Sequence, residues 1–67
     1  MNIIINGDKY ENLPKGMSLA NLLVHLDVPE GKIAVERNME IVSKSAYETV
    51  LLCEGDELEI IHFIGGG

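Results

Sequence analysis

Only one segment of the chain has the spacing of an amphipathic helix, and this segment limits the folds available to it. After Ser18, apolar side chains recur at intervals of three and four residues, which places Leu19, Leu22, Leu23 and Leu26 on one helical face. Ser18 is a good N-cap because its hydroxyl accepts a hydrogen bond from an unpaired amide of the first turn. Pro29 disfavours helical geometry in the residue before it. One helix of about ten residues is therefore predicted, over residues 18–26.

The rest of the chain is rich in β-branched residues separated by turn signals. The clearest turn signal is Asn6 followed by Gly7, because both residues tolerate positive φ. Strands are predicted at residues 1–6, 9–13, 32–38, 40–42 and 57–64, with a further short strand at 50–53 and an irregular segment at 43–49. In the resulting order ββαβββ, one helix has to cover one face of a mixed sheet, which is an α+β roll.

Length and composition restrict the class of protein. The 67 residues make one domain, and Cys53 is the only cysteine, so no internal disulfide is expected and a reducing compartment is favoured. The net charge of −6 and the scattered basic residues argue against a nucleic-acid partner. No apolar run approaches the roughly 20 residues of a membrane helix, and the first residues lack the features of a signal peptide. A cytoplasmic protein without a membrane partner is expected.

The chain ends in Gly65, Gly66 and Gly67. Glycine loses the most backbone entropy on ordering, so we expect a folded domain at residues 1–64 and a flexible tail at residues 65–67. A tail without side chains can enter a narrow channel, and the free carboxylate of Gly67 is then open to activation by another protein, for example as an acyl-adenylate. Residues left by cloning are the alternative explanation of such an ending.

The last predicted strand has an informative alternation of side chains. Glu59, Ile61 and Phe63 share one face, and the acidic start of the strand indicates that this face is outward. Ile61 and Phe63 are then exposed apolar residues beside the tail, and we interpret them as a partner-docking patch. A bulge that buries Phe63 is the alternative. His62 falls on the other face and is interpreted as a packed or hydrogen-bonded strand residue, whereas His25 is interpreted as a solvent-facing helix residue.

Two further features have a structural and a functional interpretation. The acidic residues Glu54, Asp56, Glu57 and Glu59 are interpreted as a solvated cluster, with docking to a basic surface as the functional alternative and no metal site expected. Cys53 is interpreted as a small, semi-buried apolar residue, and a persulfide site is the alternative. The chain shows no nucleophile and base pair, and it is too short to enclose a substrate pocket, so no catalytic residue is assigned and the protein is not expected to be an enzyme.

Several stretches resemble the ThiS family, the sulfur carriers of thiamine biosynthesis, which have a ubiquitin-like β-grasp fold. They are Ala-Val-Glu-Arg-Asn at 34–38, Glu-Ile-Val at 40–42, Glu-Gly-Asp-Glu-Leu-Glu-Ile at 54–60 and His-Phe-Ile-Gly-Gly-Gly at 62–67. The chain departs from the family pattern at Met39, where a glycine often follows the Arg-Asn pair. Methionine at positive φ is strained, so a different turn type or loop length is expected there.

The resemblance implies a role for the tail. Gly67 is the site at which the carboxylate is adenylated and converted to a thiocarboxylate, and Gly65 and Gly66 belong to the segment that partners recognise. The implied partners are a ThiF-type adenylating enzyme, which uses ATP, a ThiG-type thiazole synthase that receives the sulfur, and a sulfur donor such as a cysteine desulfurase. No cofactor bound to the chain itself is implied. A molybdopterin-type sulfur carrier and a ubiquitin-like modifier conjugated through Gly67 are the alternatives.

Overall fold

A computed structural model describes residues 1–63. The elements follow the predicted order ββαβββ, with two short 3₁₀ turns at Glu30–Lys32 and Lys44–Ala46. The strands are β1 (Ile3–Ile5), β2 (Asp8–Tyr10), β3 (Ile33–Arg37), β4 (Glu40–Val42) and β5 (Glu57–His62), and the helix is α1 (Leu19–His25).

The strands form a mixed sheet in the order β2-β1-β5-β3-β4. β1 and β5 run parallel, with Ile4 opposite Glu57 and Ile5 opposite Leu58, and the other neighbours are antiparallel. The last strand therefore lies in the middle of the sheet, between the first strand and the third. One helix covers one face of this sheet, which is the β-grasp arrangement that the resemblance implies.

The helix begins and packs as its sequence predicts. The Ser18 hydroxyl accepts a hydrogen bond from the Asn21 N–H at 3.0 Å, which satisfies one amide of the first turn. Leu19, Leu22 and Leu23 are buried, and Leu26 follows as the C-cap and packs against the edge of the core. His25 is exposed, as expected.

The core lies between α1 and the inward face of the sheet. Alternate residues of the three inner strands point towards the helix, so that Ile3, Ile5, Ile33, Val35, Leu58 and Ile60 are buried. Leu13, Tyr47 and Leu52 complete the cluster from the connecting segments. The alternation of burial along β5 confirms which of its faces is inward.

The strand predicted at residues 50–53 does not form. The segment makes a single isolated bridge, between Leu51 and Ser18. Two further backbone hydrogen bonds join the segment to the start of the helix, from Leu19 N–H to Val50 O and from Leu52 N–H to Met17 O. The segment is apolar enough for a strand, but it pairs with the helix start instead of with the sheet.

The turn between β3 and β4 differs from the expectation for Met39. Asn38 and Met39 both have positive φ, at 50° and 71°, so the hairpin has the tight turn in which glycine is usual. Left-handed geometry costs a residue with a Cβ about 1–2 kcal/mol. The prediction of a different turn was wrong because the Asn38 side chain, described below, holds the turn in place.

The predicted tail, Gly65, Gly66 and Gly67, lies outside the described residues, as does Ile64 at the end of the predicted strand. The division into a domain at 1–64 and a tail at 65–67 therefore stays a prediction. The helices found within residues 1–63 are all too short or too polar to cross a lipid bilayer.

Candidate functional site

The central strand β5 leads the chain towards the glycine segment. β3 holds it along its whole length, with Arg37 opposite Leu58 at one end and Ile33 opposite His62 at the other. One residue further, the Phe63 N–H donates to Lys32 O at 2.9 Å. The chain is thus fixed to the sheet up to four residues before Gly67.

The face of the sheet opposite the helix, called here the open face, carries exposed apolar residues beside the end of β5. Ile61 is 45% exposed and Phe63 is 56% exposed. Ala34 lies opposite Ile61 on β3. Ile41 on β4 is also exposed on this face, but it lies opposite Glu36 and further from the end of β5. The exposure predicted for Ile61 and Phe63 is confirmed, and no bulge reverses the strand. Docking of a partner on this patch stays a prediction.

Acidic side chains occupy the other half of the open face. Glu57 and Glu59 are exposed, and Glu36 lies opposite Glu59 on β3. A groove of about 300 Å³ runs beside them, lined also by Ile4 and Met39. The open face therefore has an apolar end near the tail and an acidic end near the β3–β4 turn.

Asp56 does not belong to this solvated surface, so its assignment to the exposed acidic cluster was wrong. Its side chain is buried, and its Oδ2 accepts hydrogen bonds from the Cys53 N–H at 2.8 Å and from Arg37 Nε at 2.9 Å. Oδ1 accepts one from Asn38 Nδ2 at 3.1 Å. Burial by itself raises the pKa of Asp56, but these hydrogen bonds and the Arg37 charge outweigh it and hold the pKa below its usual value.

Asn38 connects this network to the start of β5. Its Oδ1 accepts a hydrogen bond from the Glu57 N–H at 3.0 Å, and its own N–H donates to Glu57 O at 2.8 Å. Because its side chain bonds to both Asp56 and Glu57, the turn that contains Asn38 and Met39 cannot relax without breaking these bonds. Met39 is consequently held at positive φ with its side chain 93% exposed.

His62 and Cys53 are also more exposed than the sequence suggested. His62 has the inward alternation of Leu58 and Ile60, but it is the last residue of β5 and its side chain is exposed, so the expectation of packing was wrong. Cys53 is exposed rather than semi-buried: its N–H donates to Asp56 Oδ2, and its Sγ accepts a hydrogen bond from Arg37 Nη2 at 3.6 Å on the surface.

Residues 1–63 bring few reactive side chains together. His62 has no acid or nucleophile bonded to it, and Cys53 Sγ contacts only Arg37 and Leu51 O. No group of three or more histidine, cysteine or acidic side chains in this part of the chain is placed to bind a metal ion. The arrangement instead aligns β5, its exposed apolar patch and the exit towards the glycine segment.

Two asparagines were missed as architectural residues. Asn38 has been described, and Asn6 bonds through its side chain to both backbone groups of Ile60, at 2.7 Å to the N–H and 3.3 Å to the O. Each asparagine lies in a dipeptide that indicates a turn. Because the turn already explained the asparagine, its side chain was not expected to bond to a distant strand. The Arg-Asn pair at 37–38 together with Gly-Asp at 55–56 was the available hint of a network.

The comparisons with known proteins agree with this architecture. The ThiS family model matches residues 2–67. The chain is 42% identical over 50 residues to the sulfur carrier protein ThiS of Bacillus subtilis, an alignment that covers 75% of this chain and 76% of that protein. The crystal structure of a thiamine biosynthesis protein (ThiS) from Geobacter metallireducens superposes with a TM-score of 0.85 at 29% identity, covering both chains completely.

A thiazole synthase of Paramagnetospirillum magneticum is also similar, at 49% identity over all 67 residues, but this chain spans only 20% of its length. The first two curated relatives both have this proportion, so the chain corresponds to about a fifth of each. The complete match to the family model, the matching fold and the identity with a curated carrier lead to one conclusion. The chain belongs to the ThiS family.

Proposed function

We propose that this chain is a sulfur carrier of thiamine biosynthesis and that the carboxylate of Gly67 holds the sulfur. Membership of the ThiS family is the observation that carries the proposal. The fold adds support, because the central strand β5 leads to the glycine segment and the described residues offer no competing reactive centre. The carrier acts in the cytoplasm, in keeping with its lone, unpaired Cys53.

The chemistry needs two steps at one carbonyl. The carboxylate of Gly67 attacks the α-phosphorus of ATP and displaces pyrophosphate, which gives a mixed anhydride with AMP. The terminal sulfur of a donor persulfide then attacks the carbonyl carbon and displaces AMP. A thiol attacks the donor-side sulfur of the resulting acyl disulfide, which releases the thiocarboxylate and leaves a disulfide. The anhydride is required because a carboxylate oxygen is a poor leaving group. Gly65 and Gly66 have no side chains, so they allow the reacting carboxylate to enter a narrow site.

This chemistry requires three partners, and the family resemblance implies what kind of protein each of them is. A ThiF-type adenylating enzyme binds the ATP, a sulfur donor such as a cysteine desulfurase supplies the sulfur, and a ThiG-type thiazole synthase receives it. The similarity to proteins named thiazole synthase, which contain a segment like this whole chain, supports the last of these. The carrier itself binds no cofactor in this scheme.

The partners dock on the open face of the sheet. Ile61 and Phe63 supply exposed apolar area next to the exit of the chain, and Glu57 and Glu59 supply negative charge on the same strand and face. A partner surface with an apolar centre and basic residues on one side complements this pattern. Docking there brings the glycine segment to the partner's active site.

Reconstitution tests the proposed function. The carrier is incubated with the adenylating enzyme, ATP, a sulfur source and the thiazole synthase with its small substrates, and thiazole formation is followed. We expect product only when all proteins are present and none with a Gly66→Val carrier, whose side chain blocks a narrow channel. Sulfur transfer to a molybdopterin precursor, or covalent attachment of the chain to lysines with no thiazole formed, would contradict the proposal.

A further inference from the structure

The edge of β5 that faces β1 is paired for only part of its length. Against β3, the hydrogen-bonded positions of β5 alternate, as shown by the bonds from Asn38 N–H to Glu57 O and from Phe63 N–H to Lys32 O. The peptide groups of Leu58, Ile60 and His62 therefore point the other way, towards the side on which β1 lies.

β1 covers the first part of that edge and then leaves it. The Asn6 N–H donates to Leu58 O at 2.9 Å, after which Asn6 and Gly7, at positive φ, turn the chain into β2. At the next position, Ile60, the Asn6 side chain provides the pairing: its Oδ1 accepts from the Ile60 N–H and its Nδ2 donates to Ile60 O. The side chain thus replaces one peptide unit of a neighbouring strand.

His62 is the first position beyond this substitute. Its pairing with Ile33 is of the non-hydrogen-bonded kind, and within residues 1–63 no group bonds to its N–H or its C=O. The flanking side chains are exposed as well: Ile61 and Phe63 on the open face and His62 on the other. The result is one residue with an unpaired N–H and C=O, within the described part of the chain, on the edge of a central strand.

This edge lacks the charged residues that normally discourage strand pairing. The outermost strands carry them, with Asp8 and Lys9 on β2 and Glu40 at the start of β4. The neighbours of His62 along β5 are instead apolar. An unpaired N–H and C=O between exposed apolar side chains match one kind of occupant, which is an extended peptide segment that pairs by its backbone and packs by alternate side chains.

We propose that an extended segment of the thiazole synthase pairs with β5 at His62. The backbone of this segment occupies the position beside β5 that β1 and Asn6 occupy up to Ile60. The inference rests on the proposed function for the identity of the partner. In this complex the N–H of His62 donates to a carbonyl of the synthase, and side chains of the added segment lie beside Ile61 and Phe63. The backbone pairing fixes the direction in which the following residues enter the partner's active site.

A backbone amide-to-ester change tests the proposal. Chemical synthesis replaces His62 by its α-hydroxy acid, which removes the N–H and also weakens the preceding Ile61 C=O as a hydrogen-bond acceptor for Ala34. The matched control is the same change at Lys9, whose N–H also points away from the sheet because it lies opposite Ile4, and Ile4 pairs towards β5. Both esters should unfold at similar denaturant midpoints, because neither N–H has a partner within residues 1–63 and each ester weakens one preceding carbonyl that is paired in the sheet, Ile61 in one case and Asp8 in the other.

Affinity for the purified thiazole synthase is then measured by calorimetry. Loss of one hydrogen bond should weaken binding about five- to tenfold for the His62 ester and leave the Lys9 ester within twofold of the wild type. Wild-type affinity of the His62 ester, or a free His62 ester markedly less stable than the Lys9 ester, would overturn strand addition at His62 while leaving the proposed function in place. Wild-type carrier that neither binds the synthase nor supports thiazole formation would instead contradict the proposed function.

Discussion

Arg37 at the end of β3 donates through Nε to the buried Oδ2 of Asp56, at 2.9 Å, in the only ion pair found within residues 1–63. The same carboxylate accepts from the Cys53 N–H and from Asn38 Nδ2, so two chain segments, residues 37–38 and residues 53–56, meet at one side chain immediately before β5. The strand that leads to the glycine segment therefore starts from a fixed point. Its direction is set by this network at one end and by Asn6 near the other.

The Asp56 network makes stability depend on pH. The pKa of Asp56 is lower in the folded protein than in the unfolded chain, where it is about 3.9. The stabilisation is therefore complete above the unfolded pKa and is lost as the pH falls through the lower folded pKa. We expect Asp56→Asn to lower the free energy of unfolding at pH 7 by about 2–3 kcal/mol and to reduce its fall at acidic pH, measured by denaturant titration across pH.

Glu57→Gln is the matched control, because Glu57 is a neighbouring acid with an exposed side chain. It should change stability at pH 7 by less than about 0.5 kcal/mol. Equal acid sensitivity of the Asp56→Asn variant and the wild type would show that Asp56 does not control the acid limb.

The helix face is tested by two adjacent residues. Leu23 is fully buried, whereas Val24 is 78% exposed on the opposite side of α1. Leu23→Ala should cost about 2–5 kcal/mol, enough to unfold much of so small a domain, and Val24→Ala should cost less than about 1 kcal/mol. Thermal and denaturant midpoints give both values. Equal losses at the two positions would mean that the packed face is wrongly assigned.

Met39 stores strain that a glycine would release. Left-handed geometry costs methionine about 1–2 kcal/mol, and glycine returns about 0.5–1 kcal/mol of that as greater unfolded-state entropy. We therefore expect Met39→Gly to raise the free energy of unfolding by about 0.5–1 kcal/mol.

Gly7→Ala is the reverse test, because Gly7 has φ +84° and an added Cβ would meet no atom within 4 Å. It should destabilise by about 1 kcal/mol, and a stabilising effect there would contradict the strain argument.

The spacing and alternation of apolar residues predicted the helix and the exposed face of β5. The leucine spacing after Ser18 specified the helix and its buried face, because a helical period of 3.6 residues cannot be confused with a strand over that length. The alternation along β5 likewise predicted that Ile61 and Phe63 are exposed, because each strand residue points away from the one before it.

Contacts between distant segments account for what the sequence did not reveal. The burial of Asp56 depends on Arg37 and Asn38, which are 19 and 18 residues away, so its carboxylate looked like one more solvated acid. Met39 adopts positive φ for the same reason, since the bonds of Asn38 outweigh the local preference. The apolar run near Leu51 read as a strand because its actual partner, Ser18, could not be seen locally.

The docking patch is tested by a charge at its centre. Phe63 is 56% exposed, so Phe63→Asp should leave the circular dichroism spectrum and the thermal midpoint close to those of the wild type. Binding to the adenylating enzyme should weaken by tenfold or more, about 1.4 kcal/mol, because an apolar contact is replaced by a desolvated charge. The control is Val24→Asp on the helix, which should bind normally. An unfolded Phe63→Asp variant, or equal binding by both, would remove Phe63 from the interface.

The central claim is that the sulfur is carried by the terminal carboxylate of Gly67, and mass spectrometry tests it most directly. Carrier incubated with ATP, the adenylating enzyme and a sulfur source should gain the mass of one oxygen-to-sulfur replacement, and fragmentation should place it on the peptide that contains Gly67. A variant with one alanine appended after Gly67 should keep the fold and gain no sulfur, because its carboxylate lies beyond the reactive position. Sulfur located on Cys53, or loading of the extended variant, would contradict the account.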